Sequence, residues 1–176
     1  MTAALEGTRV VELGWAAAGP LVGTYLAQHG ADVIHVESST ALDPFRSTYP
    51  PFRDNVVGPD RAGMFAFYNA GKRGVTLDLK QPRAVELALR LVNTADVVIE
   101  SFPAGTLARR GLGHDALRRA RADLVILRKK AATSRSSAST CSWVSVRLSN
   151  VSHSTAVKRG AVKRRSFIHD ASIRPV

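Results

Sequence analysis

A single cysteine, Cys141, stands in the whole chain, so an intrachain disulfide and a multi-cysteine metal site are both excluded and a reducing compartment is implied. The N-terminus, MTAALEGTRVVELG, has no basic start followed by the apolar run of about 7–15 residues that marks a secretory signal. No window reaches about 18 uncharged apolar residues either, so no membrane partner and a cytoplasmic location are expected. Acidic residues are nearly missing from one region. After Leu127 only Asp170 carries a carboxylate, against 11 Lys and Arg, a net of +10 over the last 49 residues. Before that point 14 Lys and Arg face 13 Asp and Glu, a net of +1.

The formal charge of +11 would by itself suggest a polyanionic partner. Its confinement to residues 128–176 changes that reading. This segment has 11 Ser, compared with 4 in the preceding 127 residues, one Leu, and no helix-period core. Only Trp143–Leu148 alternates briefly. Such a composition buries too little apolar surface to offset the entropy of ordering, so a disordered basic tail is expected. As a nucleic-acid arm it would rely on Lys158, Arg159 and Lys163–Arg165. Without interleaved aromatics or a recognition motif, nucleic acid is not the expected partner.

Residues 1–127 follow a regular pattern. Strands are predicted at 9–13, 31–36, 75–78, 95–99 and 124–127. Between them lie a helix opened by Pro20 in its first turn and closed by Gly30, a short helix at 62–69, a helix opened by Pro82, and one at 114–121. Leu21, Tyr25 and Leu26 mark the apolar face of the first helix. Val85, Ala88, Leu91 and Val92 mark that of the third. Continuous aliphatic strands alternating with amphipathic helices predict an α/β fold, a mostly parallel sheet covered on both faces with right-handed crossovers.

The stretch AAAGPLVGTYLAQHGADVIHVES opens this pattern like a nucleotide-binding βαβ unit. Gly14, Gly19, Gly23 and Gly30 do not fit G-x-G-x-x-G, however, and only Glu37 stands where a carboxylate would hold a ribose. Further on, NAGKRGVTLDLK places three cations around a strand. They suit either a phosphate clamp or a charge-protected strand edge.

Taken in order, Ala18-Gly19-Pro20, Leu26-Ala27, Gly30–Ile34, Val36-Glu37, Asn69 with Gly71-Lys72-Arg73, Leu77–Lys80, Ala95–Phe102 and Leu112-Gly113 resemble the N-terminal part of the family III CoA-transferases. These include formyl-CoA transferase, carnitine CoA-transferase and α-methylacyl-CoA racemase. The resemblance implies a Rossmann-like domain over 1–127, a partial copy of the family's CoA-binding half. Coenzyme A or acyl-CoA would be substrate rather than a permanently bound cofactor, a carboxylic acid the acceptor, and the intact assembly an interlocked homodimer. It places Ala17 and Ala18 near the thioester, and Leu77, Asp78 and Lys80 along the CoA site. Lys72 and Arg73 become phosphate neighbours, Ser101 and Phe102 take the place of an Asn-Phe pair, and Arg109 is a further basic contact. The chain departs from the family at Ser38, where many members carry Arg, at Ala17, where transferases often carry Gln, and at Leu42–Arg46, where a Gly-Asp-x-x-Arg element has lost its glycine.

In the family a carboxylate attacks the acyl-CoA to give a mixed anhydride, or, in the racemase branch, a His and an Asp exchange the α-proton. The resemblance puts both sets beyond Leu127, after a Gly-rich loop; here Arg128-Lys129-Lys130 follows instead. Neither Asp170 nor His153 or His169 matches a family position, so no catalytic residue and no metal ligand is assigned. The expectation is a truncated, inactive CoA-transferase chain whose residues 128–176 are frameshifted or disordered. A racemase-like fragment, a non-catalytic CoA-binding protein and a basic nucleic-acid-binding protein are the alternatives.

Overall fold

The computed structural model describes residues 2–129 together with 144–146 and 173–175. Five parallel strands form its centre: β1 (Arg9–Leu13), β2 (Asp32–Glu37), β3 (Arg73–Thr76), β4 (Val97–Glu100) and β5 (Val125–Lys129). In space they run β5-β4-β1-β2-β3. Two three-residue strands flank them antiparallel, β6 (Val144–Val146) on β5 and β7 (Ile173–Pro175) on β3. The rest of the expected disordered tail, with Cys141, His153, His169 and Asp170, lies outside the described residues.

The helices are α1 (Ala18–Gln28), α2 (Pro44–Ser47), α3 (Gly63–Asn69), α4 (Pro82–Val92) and α5 (His114–Ala120). Alternation along β1 sends Val11 and Leu13 to one face, where they meet Val98, Ala88, Leu91, Val92 and Leu117 beneath α4 and α5. Val10 points to the other face, with Val33, Ile99 and the half-buried Val22 and Leu26 of α1. Both faces are thus covered, as continuous aliphatic strands require. The predicted strands and helices all form, with ends shifted by one to three residues. In α4, Ala84 joins Ala88, Leu91 and Val92 in the core, and Pro82 occupies the first helical turn.

The first helix differs from expectation. Leu21 and Tyr25 are 52% and 61% exposed, and the buried positions of α1 are Gly19, Pro20, Gly23 and Thr24. Leu26 of the expected face does pack, with Val22, against Val10, Val33 and Ile99, while at Gly19 and Gly23 α1 lies too close to the sheet to admit a side chain. A Cβ on Gly19 would sit 2.5 Å from Ser101 Oγ. A Cβ on Gly23 would overlap Glu12 Oε2 and come within 3.1 Å of Lys72 Nζ.

The proline-rich segment between β2 and α3 is ordered by polar contacts. Arg46 grips both oxygens of Glu37, reaches Asp60 and the Pro59 carbonyl, and lies 3.6 Å above the Phe65 ring. Phe45, Ala62 and Phe65 form a small core under it.

Candidate functional site

The strand order reverses at β1. The chain moves from β1 toward β2 and β3 on one side, and β4 and β5 lie on the other. In an open α/β sheet this reversal leaves a crevice outside the carboxyl ends of the two central strands. Here the crevice is bounded by the β1–α1 turn, Gly14–Ala17, and by Ser101-Phe102 after β4.

The turn is held in an unusual shape. Ala16 has φ 42°, and Ala17 has φ 37° with ψ −82°. Such conformations cost a non-glycine residue on the order of 1–3 kcal/mol each and persist only where neighbours over-determine them. Those neighbours are present. The Ala16 N–H donates to Asp43 Oδ2 at 3.1 Å, and the other oxygen of the same buried carboxylate caps α2 at the Phe45 N–H, 2.8 Å away. Ser101 donates its backbone N–H to the Leu13 carbonyl at 3.1 Å and its hydroxyl to the Trp15 carbonyl at 3.3 Å. The Phe102 ring meets Trp15 edge-on at 5.2 Å. Ala17 itself is exposed at the crevice.

Beneath the turn lies a charged group inside the sheet. Glu12 of β1 and His35 of β2 are register partners, both fully buried, and His35 Nδ1 is 2.8 Å from Glu12 Oε1. Lys72 Nζ donates to Glu12 Oε2 at 2.8 Å, to the Pro20 carbonyl at 2.9 Å and to Asn69 Oδ1 at 2.9 Å, so all three ammonium protons have acceptors. Asn69 is fixed in turn by donating to the Phe65 carbonyl at 3.0 Å. Burial raises the Glu12 carboxyl, but the hydrogen bonds and charges of His35 and Lys72 outweigh it and hold the group below the usual carboxylate range. Burial pushes the Lys72 ammonium down, with Glu12 and Asp43 opposing. His35 Nε2 is the buried side-chain atom that lacks a partner among the described residues.

The structure brings four of the expected site residues, Ala17, Ala18, Ser101 and Phe102, to one crevice. Leu77, Asp78 and Lys80 follow β3 at the same edge of the sheet. Leu77 is buried, its N–H on the Glu37 carbonyl; Asp78 turns the chain toward α4 by accepting from the Lys80 N–H at 3.1 Å; and Lys80 projects into solvent. Arg109 is exposed in the segment after β4, with its guanidinium 3.5 Å from Thr106 Oγ1.

Two expected contacts are corrected. Lys72 is not a phosphate neighbour, because its side chain has no exposed surface and its three donors are used internally. Arg73 lies at the amino-terminal end of β3 and pairs with Asp32, which also binds Arg9; this is the end of the sheet opposite the crevice. Glu37 has no ribose role either, since Arg46 occupies both its oxygens.

Glu12 and His35 are site-supporting residues that sequence reasoning missed, although they are polar residues at matching places in the otherwise aliphatic VVEL and VIHV runs. Asn69 and Asp43 stand in the family-like stretches, but sequence reasoning assigns them no supporting role. Among the described residues no group of three His, Cys, Asp or Glu side chains could hold a metal ion, and no helix is long and apolar enough to cross a membrane.

The chain forms a doubly wound parallel sheet with an ordered turn at its reversal point, a class of domain in which ligands bind at the carboxyl ends of the strands. The chain belongs to CoA-transferase family III, whose family model matches residues 5–139 and so runs past Leu127. It is 45% identical over 115 residues to a succinate–glutarate CoA-transferase of Agrobacterium fabrum, covering 65% of this chain and 29% of that protein. It is 40% identical over 126 residues to a probable fatty acyl-CoA transferase of Mycobacterium tuberculosis, covering 70% and 30%. A crystal structure of a CAIB/BAIF family protein from Brucella suis superposes with a TM-score of 0.65 at 39% identity, covering 73% of this chain and 33% of that one. The chain therefore spans about three tenths of the length of the curated relatives it matches.

Proposed function

We propose that this chain is the coenzyme A-binding part of an acyl-CoA:carboxylate CoA-transferase, with acyl-CoA and a carboxylic acid as substrates and a homodimer as the assembly. The observation that supports the reading most is the over-determined Gly14–Ala17 turn at the sheet's reversal point, in a chain that belongs to this family. Coenzyme A has two chemically distinct ends. Its nucleotide end carries a pyrophosphate and a 3′-phosphate and needs cations, which Lys80 and Arg109 supply from exposed positions. Its pantetheine arm is uncharged and suits the small and aromatic surface of Ala17, Ala18, Trp15 and Phe102. Leu77 and Asp78 shape the loop between the two.

No catalytic nucleophile is assigned to a described residue. The chemistry proposed for this part is binding: it fixes the thioester at the crevice so that a carboxylate supplied elsewhere in the enzyme can attack it. Calorimetric titration of the chain with CoA and with NAD tests the reading. CoA is expected to bind and NAD not, with Lys80→Ala and Arg109→Ala each weakening CoA about tenfold, in the range of a lost charge-assisted contact. Equal affinity for NAD, or unchanged CoA affinity in both variants, would overturn it.

A further inference from the structure

A buried ion pair is a weak means of stabilising a core, and apolar residues of the same volume often do as well or better. The Glu12–Lys72 pair lies fully buried between α1 and the sheet, so what it touches bears more on its role than the energy of the pair. One contact leaves the pair. Lys72 Nζ donates to the Pro20 carbonyl, in the first turn of α1, two residues beyond Ala18. Glu12 and Asn69 occupy its other two protons, and Gly23 leaves the space that lets α1 come down onto it. Thr24, one residue on, ties the same helix to α3 by donating to the Tyr68 carbonyl at 2.5 Å. Asp43 and Ser101 hold the near side of the turn, through the Ala16 N–H and the Trp15 carbonyl. Lys72 holds its far side.

We propose that Lys72, anchored by Glu12 and Asn69, is a positioning residue: by gripping the Pro20 carbonyl it holds Ala16 and Ala17 in the left-handed shape that presents the turn to the pantetheine arm of coenzyme A. The identity of the ligand rests on the CoA-binding reading above; the grip on the turn does not. The physical logic is preorganisation. Ala16 and Ala17 would relax to ordinary backbone angles if α1 were free to shift, and the ligand would then have to restore the turn on binding. Because Lys72 is fully buried with its three donors used internally, its effect is confined to the end of the ligand that meets the turn.

The test uses the charge-neutral double variant Glu12→Gln/Lys72→Met, which leaves no unpaired ion and keeps an acceptor for His35. Two measurements are made on the full chain. The first, without ligand, is the backbone carbon chemical shifts of Ala16 and Ala17. The second is the affinity for CoA and for 3′-phosphoadenosine 5′-phosphate, which carries the adenosine and phosphates but no pantetheine arm. The expected result is loss of the left-handed shift signature, CoA binding weakened about tenfold, and the nucleotide's affinity unchanged within about twofold. A purely structural role would weaken both ligands together, and that result overturns the proposal, as does a variant that retains the left-handed signature. Should the double variant fail to fold, Lys72→Met alone makes the same test, since it removes the grip on the Pro20 carbonyl, keeps the cavity filled and leaves Glu12 paired with His35. A wild-type chain that binds neither ligand retires the CoA reading, and the positioning role is then decided by the Ala16 and Ala17 shifts.

Discussion

Replacing Gly23 with Ala sets two opposed effects against each other at one atom. In an exposed helix interior the change is favourable by about 1 kcal/mol, because glycine loses more backbone freedom than alanine. At Gly23 the added methyl would overlap Glu12 Oε2 and come within 3.1 Å of Lys72 Cε and Nζ. None of these atoms is a free side-chain end: both groups are fully buried and bonded to each other at 2.8 Å. Relief requires α1 to rise from the sheet or the ion pair to part. Overpacking of this kind costs about 1–3 kcal/mol, and a parted buried pair costs about 3–5 kcal/mol. Set against the helix gain, Gly23→Ala is expected to destabilise by about 2 kcal/mol. With a urea dependence of about 2 kcal/mol per molar, that lowers the denaturation midpoint by about 1 M. Gln28→Ala, exposed at the end of the same helix, serves as control and should move stability by less than about 0.5 kcal/mol. A Gly23→Ala chain more stable than wild type would show that helix propensity wins and that α1 does not sit on the Glu12–Lys72 pair.

Acid should act on the same pair. The Glu12 carboxyl is held below its ordinary value of 4.5, so between that value and its folded one the unfolded chain binds more protons and stability falls as the pH drops. Glu12→Gln should flatten that part of the profile; urea midpoints at pH 7 and pH 3 that change by the same amount in wild type and variant would contradict this. Arg46→Lys replaces a planar fork that holds both Glu37 oxygens and stacks on Phe65 by a point charge that can do neither. It should cost about 1–2 kcal/mol and speed proteolysis between β2 and α3, and an unchanged cleavage rate would count against the role given to Arg46. Asp43→Ala removes both the α2 cap and the acceptor for the Ala16 N–H. It should lower stability by about 1–2 kcal/mol and alter the Ala16 amide resonance, whereas a wild-type resonance would show that the turn is held without it.

The sheet and its coverage were legible because they follow from composition and period. Val10–Leu13 and Val33–Val36 are aliphatic runs bounded by turn residues, and the α4 stripe recurs at three- and four-residue spacing. The α1 face was misread for the opposite reason. Period arguments look for large apolar side chains, and here the buried side is made of Gly19, Pro20, Gly23 and Thr24, where closeness to the sheet matters more than apolar size. Lys72 and Arg73 are neighbours in sequence with opposite fates, because Lys72 turns into the interior and Arg73 reaches along the sheet to Asp32. Glu12 and His35 become partners only through the strand register, which no local pattern specifies. In the basic segment the brief alternation around Trp143–Leu148 contains the observed Val144–Val146 strand, while Ile173–Pro175 has no signal of useful length.

In the proposed function, coenzyme A is held at the carboxyl ends of the strands, between the β1–α1 turn and the segments after β3 and β4. Mapping backbone amide shifts during a titration with CoA addresses this placement directly. Changes are expected at Ala16–Ala18, Leu77–Lys80 and Ser101–Arg109, with the opposite edge around Arg9, Asp32 and Arg73 unmoved. Changes centred on Arg9, Asp32 and Arg73, or none anywhere at saturating CoA, would contradict it.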